Sequence, residues 1–551
     1  MKYRHSFSAL FGFFAAILTG TFLRLNQFSS QVLIDDEWHA LHQLIENTPS
    51  NIAMSFGHAD YSIPLTLLYW VEAQWFGLSE LAMRWPMMAS GLITLLVFPA
   101  VIRRQFGDRE AILFAALLAV SPLLIIYSRT ARPYAITLLL GYVAMAAFHA
   151  YRDGRKHANV YGFLYGVTST LCVWLHPLTI PWVVAPCILE FFTVLALPAQ
   201  ERKRSFGRLF ALGIPTALAM MIFVLPPLLA DPGALAGKAG IDLPTLDTLF
   251  GAGHLWFGTG SLPALLIGLS LSLLGWGRLW RALPLVHSTV VGLALTVGLI
   301  FMTSPEWVYH PLTFGRYLLP LLPLLLLSVA LGSIRLVDAL NMRDQRCRRY
   351  LTPILLLLPV LVLTIQSPVF AMLRSPNTST LHSLYQFDFR PSHNLIRQHL
   401  NTFPLSPFWD RMRLIPANTL RVAVAPWFFE SYDWLSPRWE QMGRQPIVPA
   451  YLTGFCFVQR WGEPLRDARF KFRNGVFLDD IPSTTVIDVL VFQKPFIERP
   501  GVLTNYTKDK VNPECMSKLL AKLGVPDYED DTIVSFFLSP SARASLNAQR
   551  E

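Results

Sequence analysis

The chain has 551 residues, of which 53% are hydrophobic and only 15% charged, with a formal net charge of +10. An ordinary soluble domain carries about 25% charged residues, so these proportions exclude one and identify a membrane protein. The basic excess does not call for nucleic acid, because the Lys and Arg residues are spread over loops rather than gathered on one face.

A helix needs about 20 apolar residues to cross a bilayer. Eleven segments read that way: 7–24, 85–102, 110–127, 133–150, 159–175, 178–198, 209–229, 261–279, 284–302, 317–335 and 351–371. The first has the basic start of a signal peptide but no small-x-small cleavage site after it, so it reads as an uncleaved span. Basic residues are retained on the cytoplasmic side. With the N-terminus inside, nineteen Lys and Arg fall in the inner loops and six (Arg24, Arg84, Arg129, Arg132, Lys238, Arg316) in the outer ones. Eleven spans then carry residue 372 onward to the outside.

Between the first two spans lies a long outer loop, 25–84, that opens with "LIDDEWHALHQL", Leu33 to Leu44. At helical spacing Asp35, Asp36, His39, His42, Gln43, Glu46 and Asn47 share one side, and Trp38, Leu41, Leu44 and Ile45 the other. This predicts an amphipathic helix along the membrane surface. Glu37 projects near the apolar side, where a carboxylate needs a partner. A structural role accounts for part of the pattern: Asp35 caps the helix, and Asp36 and Glu37 favour its N-terminal dipole. Asp35, His39 and His42 also have a spacing suited to a divalent metal, the one candidate cofactor.

Further along, "YSRTARPYA" places Arg129 and Arg132 between the third and fourth spans on the same outer side. They read either as interfacial anchors or as a phosphate clamp, since the guanidinium fork matches phosphate oxygens. "WLHPL" puts His176 at the outer end of the fifth span, and "VYHPLTFGRYLLPLLPLL" puts His310, Arg316 and Tyr317 at the start of the tenth. A second long outer loop, 230–260, carries "LFGAGHLWFGTG". Long loops concentrated on one side place binding or chemistry there.

Two regions follow: a membrane domain, 1–373, and an extracytoplasmic domain, 374–551. The second mixes the strand-like runs "LRVAVAPWFF", "TTVIDVLVFQ" and "DTIVSFFL" with a helix-like "PECMSKLLAKLG", which predicts a small α/β or α+β domain. No catalytic motif stands out in it. Cys456 and Cys515 form a candidate disulfide in an oxidising compartment, and Asn377 and Asn505 open short sequons that are weak signals on their own.

Acids, arginines and histidines from four separate loops thus meet one outer interface. Carboxylate plus arginine at a lipid boundary suits attack by an acceptor hydroxyl on a sugar carried by a lipid phosphate. An Asp takes the hydroxyl proton and Arg stabilises the departing phosphate. A flippase or exporter of lipid-linked sugars is the rival class, but it calls for polar residues at mid-span. A non-catalytic glycan-assembly subunit is the third.

Residues 5–335 resemble the GT-C superfamily of polytopic glycosyltransferases, in the branch of protein O-mannosyltransferases and aminoarabinose transferases. The resemblance rests on the order of "IDDEWHA", "HADYSIPLTLLYW", the stretch from "LSELAMRWP" to "YSRTARPYA", "LHPL" and "GRYLLPLLPLL". It implies that Asp36 is the general base, Glu37 its partner acid, and Asp60 a second loop acid that orients sugar or acceptor. It also implies that Arg129, Arg132, Tyr134, Arg316 and Tyr317 lie near the carrier phosphate, with His176 lining the same cavity. Ser62-Ile63 and Leu175 depart from the family pattern. The implied partners are a polyprenyl phosphate sugar, membrane lipids, and a lipid A, core glycan or protein acceptor, with inversion at the sugar and, in some members, a bound metal. The implied location is a bacterial cytoplasmic membrane, N-terminus inside and C-terminal domain periplasmic.

Overall fold

The computed structural model describes residues 7–31, 33, 35–241, 243–340, 357–370, 406–425, 439–451, 467–472, 476–477, 487–494 and 515–547. After α1 (Phe7–Leu25) come three short helices, α2 (Asp35–Glu46), α3 (Pro49–Ala53) and α4 (Ile63–Trp75). The bundle continues with α5 (Glu80–Phe106), α6 (Asp108–Val120), α7 (Pro122–Arg129), α8 (Tyr134–Arg152), α9 (Ala158–Leu175), α10 (Ile180–Leu195) and α11 (Ala199–Ala230). It ends with α12 (Pro232–Ala236), α13 (Leu246–Phe257), α14 (Leu262–Ala282), α15 (Pro284–Thr303), α16 (Pro311–Tyr317) and α17 (Leu321–Ala339).

Among the described residues seven helices are long and apolar enough to cross a bilayer: α5, α8, α10 with the turn before it, α11, α14, α15 and α17. The sequence predicts more, and the difference has local causes. In α1 the described apolar stretch is only Leu10–Leu25. Asn159, Thr168, Ser169 and Thr170 dilute α9, and the last three are buried inside the bundle. The predicted span 110–127 is broken into α6 and α7, bent by 59°. Pro122 has no N–H to give the Leu118 carbonyl. Arg24, 1% exposed, replaces it, donating from Nη2 to Leu118 O (3.3 Å) and from Nη1 to Ala119 O (3.4 Å). The eleventh predicted span is described only over 357–370, with 357–363 helical. The side chains of Cys456 and Cys515, both sequons and the expected boundary at 373 lie outside the described residues.

Helices α14 and α17 cross at backbone contact. A Cβ on Gly275 would stand 1.9 Å from the Ser328 carbonyl oxygen, and one on Gly332 would stand 1.9 Å from that of Leu271. Small residues at such a crossing let two helices in an apolar environment approach closely.

The C-terminal part holds a six-stranded sheet, in the order β3-β2-β1-β4-β6-β5, from β1 (Val422–Ala425), β2 (Ile447–Tyr451), β3 (Val476–Phe477), β4 (Val489–Gln493), β5 (Tyr528–Glu529) and β6 (Ile533–Phe537). The first four in that order are parallel, and β6 and β5 run antiparallel to their neighbours. Three of the strands and helix Cys515–Leu523 fall in the predicted runs. Successive strand residues face opposite sides. Val422, Val424, Val489 and Val491 therefore join one core, while Ala423, Leu490, Phe492 and Phe536 pack with Leu519 of that helix.

The first of these cores corrects the expected position of α2. Its buried stripe, Trp38, Leu41 and Leu44, does not lie on a membrane surface. It shares one cluster with Ile63 and Tyr69 of α4, with Trp409 and Trp439, and with the sheet valines. Trp38 stands 5.8 Å from the Phe472 ring. A parallel bridge pairs Leu78 with Phe470, and Leu78 donates its N–H to Arg469 O at 2.8 Å.

Candidate active site

The first turn of α2 carries Asp36 and Glu37, and the fold gives them different surroundings. Glu37 has no exposed surface. Its Oε1 accepts from Arg84 Nε (2.8 Å) and from the Ala131 backbone N–H (2.7 Å), and its Oε2 from Arg84 Nη2 (2.5 Å). Arg84, also fully buried, donates its Nη1 to Gln31 O at 2.7 Å. A buried carboxylate is tolerated because a bidentate guanidinium matches it and further donors satisfy the remaining lone pairs. Glu37 is therefore turned to protein partners rather than to the open side: it ties α2 to α5 and to the turn that carries Arg132.

Asp36 faces the open side, with its side chain 34% exposed. Its Oδ2 accepts from Arg316 Nη1 at 3.1 Å, and its Oδ1 lies 3.4 Å from Arg132 Nη2. Arg132 also donates through Nη1 to Asp60 Oδ2. Both arginine side chains are largely buried, at 15% and 18% exposure, and the Nε of each is buried without a hydrogen-bond partner. The Arg316 guanidinium lies 5.7 Å from both the Tyr134 and the Tyr317 ring centroids. Burial alone would raise the Asp36 carboxyl, but Arg132 and Arg316 outweigh it and hold the group below the usual carboxylate range. At Asp60 burial prevails over the opposing Arg132 charge and the carboxyl is raised.

Asp60 and Tyr61 hold the site under backbone constraint. Both lie in the left-handed region, at φ 46° and 62°, which non-glycine residues adopt at a cost. The bend persists because it is over-determined. Tyr61 N donates to Phe56 O (2.8 Å), Ser62 N to Ala59 O (2.9 Å), and the Tyr61 hydroxyl to Ala234 O (3.1 Å) across the second long loop. Ser55 Oγ donates to Asp231 Oδ2 at 2.5 Å, fixing the same junction.

Beside the acid–arginine group is a partly open crevice enclosing about 410 Å³ of space, its solvent side included, lined by Tyr134, His176, Arg316 and Tyr317 with Thr137, Trp182 and Thr296. The His176 ring stands 5.4 Å from that of Tyr134 and 6.0 Å from that of Tyr317. Burial, aided by the two arginines, lowers its pKa to about 4, so it lines the cavity as a neutral imidazole and adds no cation. A second cavity, of about 250 Å³, is bounded by Arg24, Tyr127 and Ser128 and shares Leu138 and Leu319 with the first.

Arg129, expected near a phosphate, and His310, which the sequence also offers as a candidate substrate or carrier-phosphate residue, have protein partners instead. Arg129 is 1% exposed and gives Nε to Gln31 Oε1 (3.0 Å) and Nη1 to Asn26 O (2.8 Å) and Leu23 O (3.3 Å). It pins the end of α1 and does not face the cavity. His310 is the N-cap of α16, its Nδ1 accepting from Leu312 N at 3.3 Å. It thereby supports the short helix that carries Arg316 and Tyr317. Among the described residues no group of three or more His, Cys, Asp or Glu is gathered as a metal site would need. The side chain of Asp35 lies outside them. Arg84, Tyr127, Trp182, Lys238 and Glu306 border or brace the site without having been singled out in the sequence.

Fold and site together define a polytopic helical membrane protein with paired acids and paired arginines beside a cavity of mixed aromatic and polar lining. No protein-family model matches the chain, and no curated protein matches it by sequence. Among solved structures, the chain is similar to ArnT from Cupriavidus metallidurans in the apo state, at 10% identity, over 97% of this chain and 98% of that one, with a TM-score of 0.42. ArnT bound to undecaprenyl phosphate aligns at 11% identity over the same shares, with a TM-score of 0.42. Archaeal oligosaccharyltransferase AglB from Archaeoglobus fulgidus, in complex with an inhibitory peptide and a dolichol-phosphate, aligns at 13% identity over 88% of this chain and 69% of that one, again at 0.42. Likeness of this degree carries no argument about this chain.

Proposed function

We propose that the chain moves a monosaccharide from a polyprenyl phosphate donor to a hydroxyl of a cell-envelope acceptor, at the outer face of a cytoplasmic membrane. The observation that carries this reading is the pairing of Asp36 and Asp60 with Arg132 and Arg316, the last of which lines the cavity. The two arginines each keep a buried, unpartnered Nε donor. Phosphate oxygens arriving from the lipid side supply acceptors for those donors.

In the proposed step the acceptor oxygen bonds to the anomeric carbon as the bond from that carbon to the phosphate oxygen breaks. The hydroxyl proton passes to Asp36. The electron pair stays on the departing polyprenyl phosphate, whose charge Arg132 and Arg316 take up. Attack from the face opposite the phosphate inverts the sugar. Asp60, held by Arg132 and by the constrained bend, orients sugar or acceptor, and Tyr134, His176 and Tyr317 form the wall beside them. Lipid A or its core, another envelope glycan and a protein hydroxyl are the acceptor classes in view, and the N-terminus is assigned to the cytoplasm with the sheet domain, 374–551, outside.

The test is transfer by the purified full chain in lipid nanodiscs, offered synthetic polyprenyl phosphate monosaccharides and acceptors of those three classes. Release of polyprenyl phosphate with a sugar appearing on an acceptor is expected. Failure with every donor and acceptor, in protein that melts cooperatively, overturns the reading.

A further inference from the structure

Two outer segments, 237–241 with 243–250, and 301–309, are fastened into one lip. Ala239 bridges Pro305, Gly240 N donates to Ser304 O at 2.5 Å, Glu306 N to Lys238 O at 2.8 Å, and Thr248 Oγ1 to Tyr309 O at 2.6 Å. This lip carries big apolar side chains that are largely exposed: Ile241 at 95%, Leu246 at 85%, Met302 at 86% and Trp307 at 59%. Trp307 is held outward at φ 63°, a left-handed conformation that a bulky residue adopts only under constraint, while Val308 beside it is fully buried.

The lip follows two spans, α15 directly and α11 after the short helix α12. Leu229 ends the exposed apolar face of α11 at 70%, and Phe301 that of α15 at 48%. Helix α13 is too short to cross, and it splits along its length: Leu246, Leu249 and Phe250 are outward, while Ala252 and Leu255 are buried. The charged pair Lys238 and Glu306, 3.5 Å apart and each about half exposed, and the stacked Trp307 and Tyr309 rings, 6.0 Å apart, sit among these apolar groups. Aromatic and charged residues grouped in this way suit the headgroup level of a bilayer.

We propose that this lip lies in the outer-leaflet interface of the membrane that α11 and α15 cross, with lipid as its occupant, and that it forms a lipid-anchored wall of the site. It reaches the neighbours of the acid–arginine group on two sides. Lys238 stands 5.1 Å over the ring of Tyr61, next to Asp60, and Ala252, two residues beyond the lip in α13, packs with Phe314 of α16, which bears Arg316. The wall thus fixes the site at headgroup depth, where a lipid-borne phosphate sits. The proposal stands whether or not the chain transfers a sugar.

Photo-crosslinking tests it. A benzophenone amino acid is introduced at Ile241 or Leu246 of the full chain in phosphatidylethanolamine–phosphatidylglycerol nanodiscs, illuminated, and the adducts read by mass spectrometry. Leu273, 77% exposed within the span α14, is the positive control, and Val525, 90% exposed next to helix Cys515–Leu523, the negative one. All four positions are exposed, so melting should match the unmodified protein. Lipid adducts at Ile241 and Leu246 that approach those at Leu273 and exceed those at Val525 several-fold are expected. Yields no higher than at Val525, or crosslinks to this chain or to a second copy in place of lipid, overturn the proposal.

Discussion

Asp36 and Glu37 are adjacent in sequence, yet Asp36 is about one-third exposed between two arginines while Glu37 is sealed against Arg84. Replacing them should therefore give different phenotypes. Asp36→Asn leaves Arg132 with Asp60 and keeps an isosteric side chain whose amide oxygen can still accept from Arg316, at a site one-third open to solvent, so melting should fall little while sugar transfer stops; full turnover in that variant removes Asp36 as the base. Glu37→Gln strips the charge from a buried pair and leaves Arg84 uncompensated, which typically costs about 3–5 kcal/mol. A large fall in melting temperature is expected, and its absence would show that the pair does not hold α2. In the sequence the three acids part into a cap, Asp35, a candidate base, Asp36, and an acid in need of a partner, Glu37, but that partner cannot be named there, because Arg84 lies on α5, 47 positions away. Arg129 misled for a similar reason. An arginine near a span end looks the same in sequence whether it meets a phosphate or the open carbonyls of a neighbouring helix.

Helical period and apolar runs made most of the bundle and three strands of the sheet readable, since these are local properties of the chain. What the period leaves open is the partner of an apolar stripe. Trp38, Leu41 and Leu44 suit a membrane surface as well as a protein core, and the pairing with Trp409, Trp439 and Phe472 joins residues hundreds of positions apart. Truncating Trp38 to alanine should cost about 3–5 kcal/mol, as for other buried aromatics, and should loosen the contact between α2 and the sheet. Faster proteolysis of the C-terminal part would report it. Within the bundle, Gly275→Val puts side-chain atoms into the Ser328 carbonyl and cannot be accommodated without separating α14 from α17. Overpacking of this kind costs about 1–3 kcal/mol or more, and a clear loss of thermal stability is expected. Unchanged melting would mean that the crossing is wider than described.

Across the whole molecule the site depends on a balance of charge gathered from distant parts of the chain: Asp36 from α2, Asp60 from the constrained bend, Arg132 from the turn before α8 and Arg316 from α16. Without a donor the arginines spend their charge on the carboxylates, and Asp36 is held below the usual carboxylate range. A base that weak removes a hydroxyl proton poorly. When a phosphate takes up the guanidinium charge, the lowering influence on Asp36 is withdrawn while its burial remains, so its pKa should rise. Under the proposed function the sign of the pH effect follows. Activity needs Asp36 deprotonated, so each profile falls on the acid side, and the fall lies at higher pH in whichever state has the higher Asp36 pKa. The acid limb of kcat, which reports the donor-bound enzyme, should therefore sit at higher pH than Asp36's own contribution to kcat/KM for the donor. His176, lowered to about 4 and neutral above that, should add no step between pH 5 and 8. Asp60 is raised in the empty site and can itself add an acid limb to kcat/KM, which Asp60→Asn removes if any transfer survives. Profiles measured with saturating and with limiting donor, for the unmodified chain and that variant, separate the two acids; if Asp36 titrates at the same pH with and without bound donor, the arginines do not pass from carboxylate to phosphate.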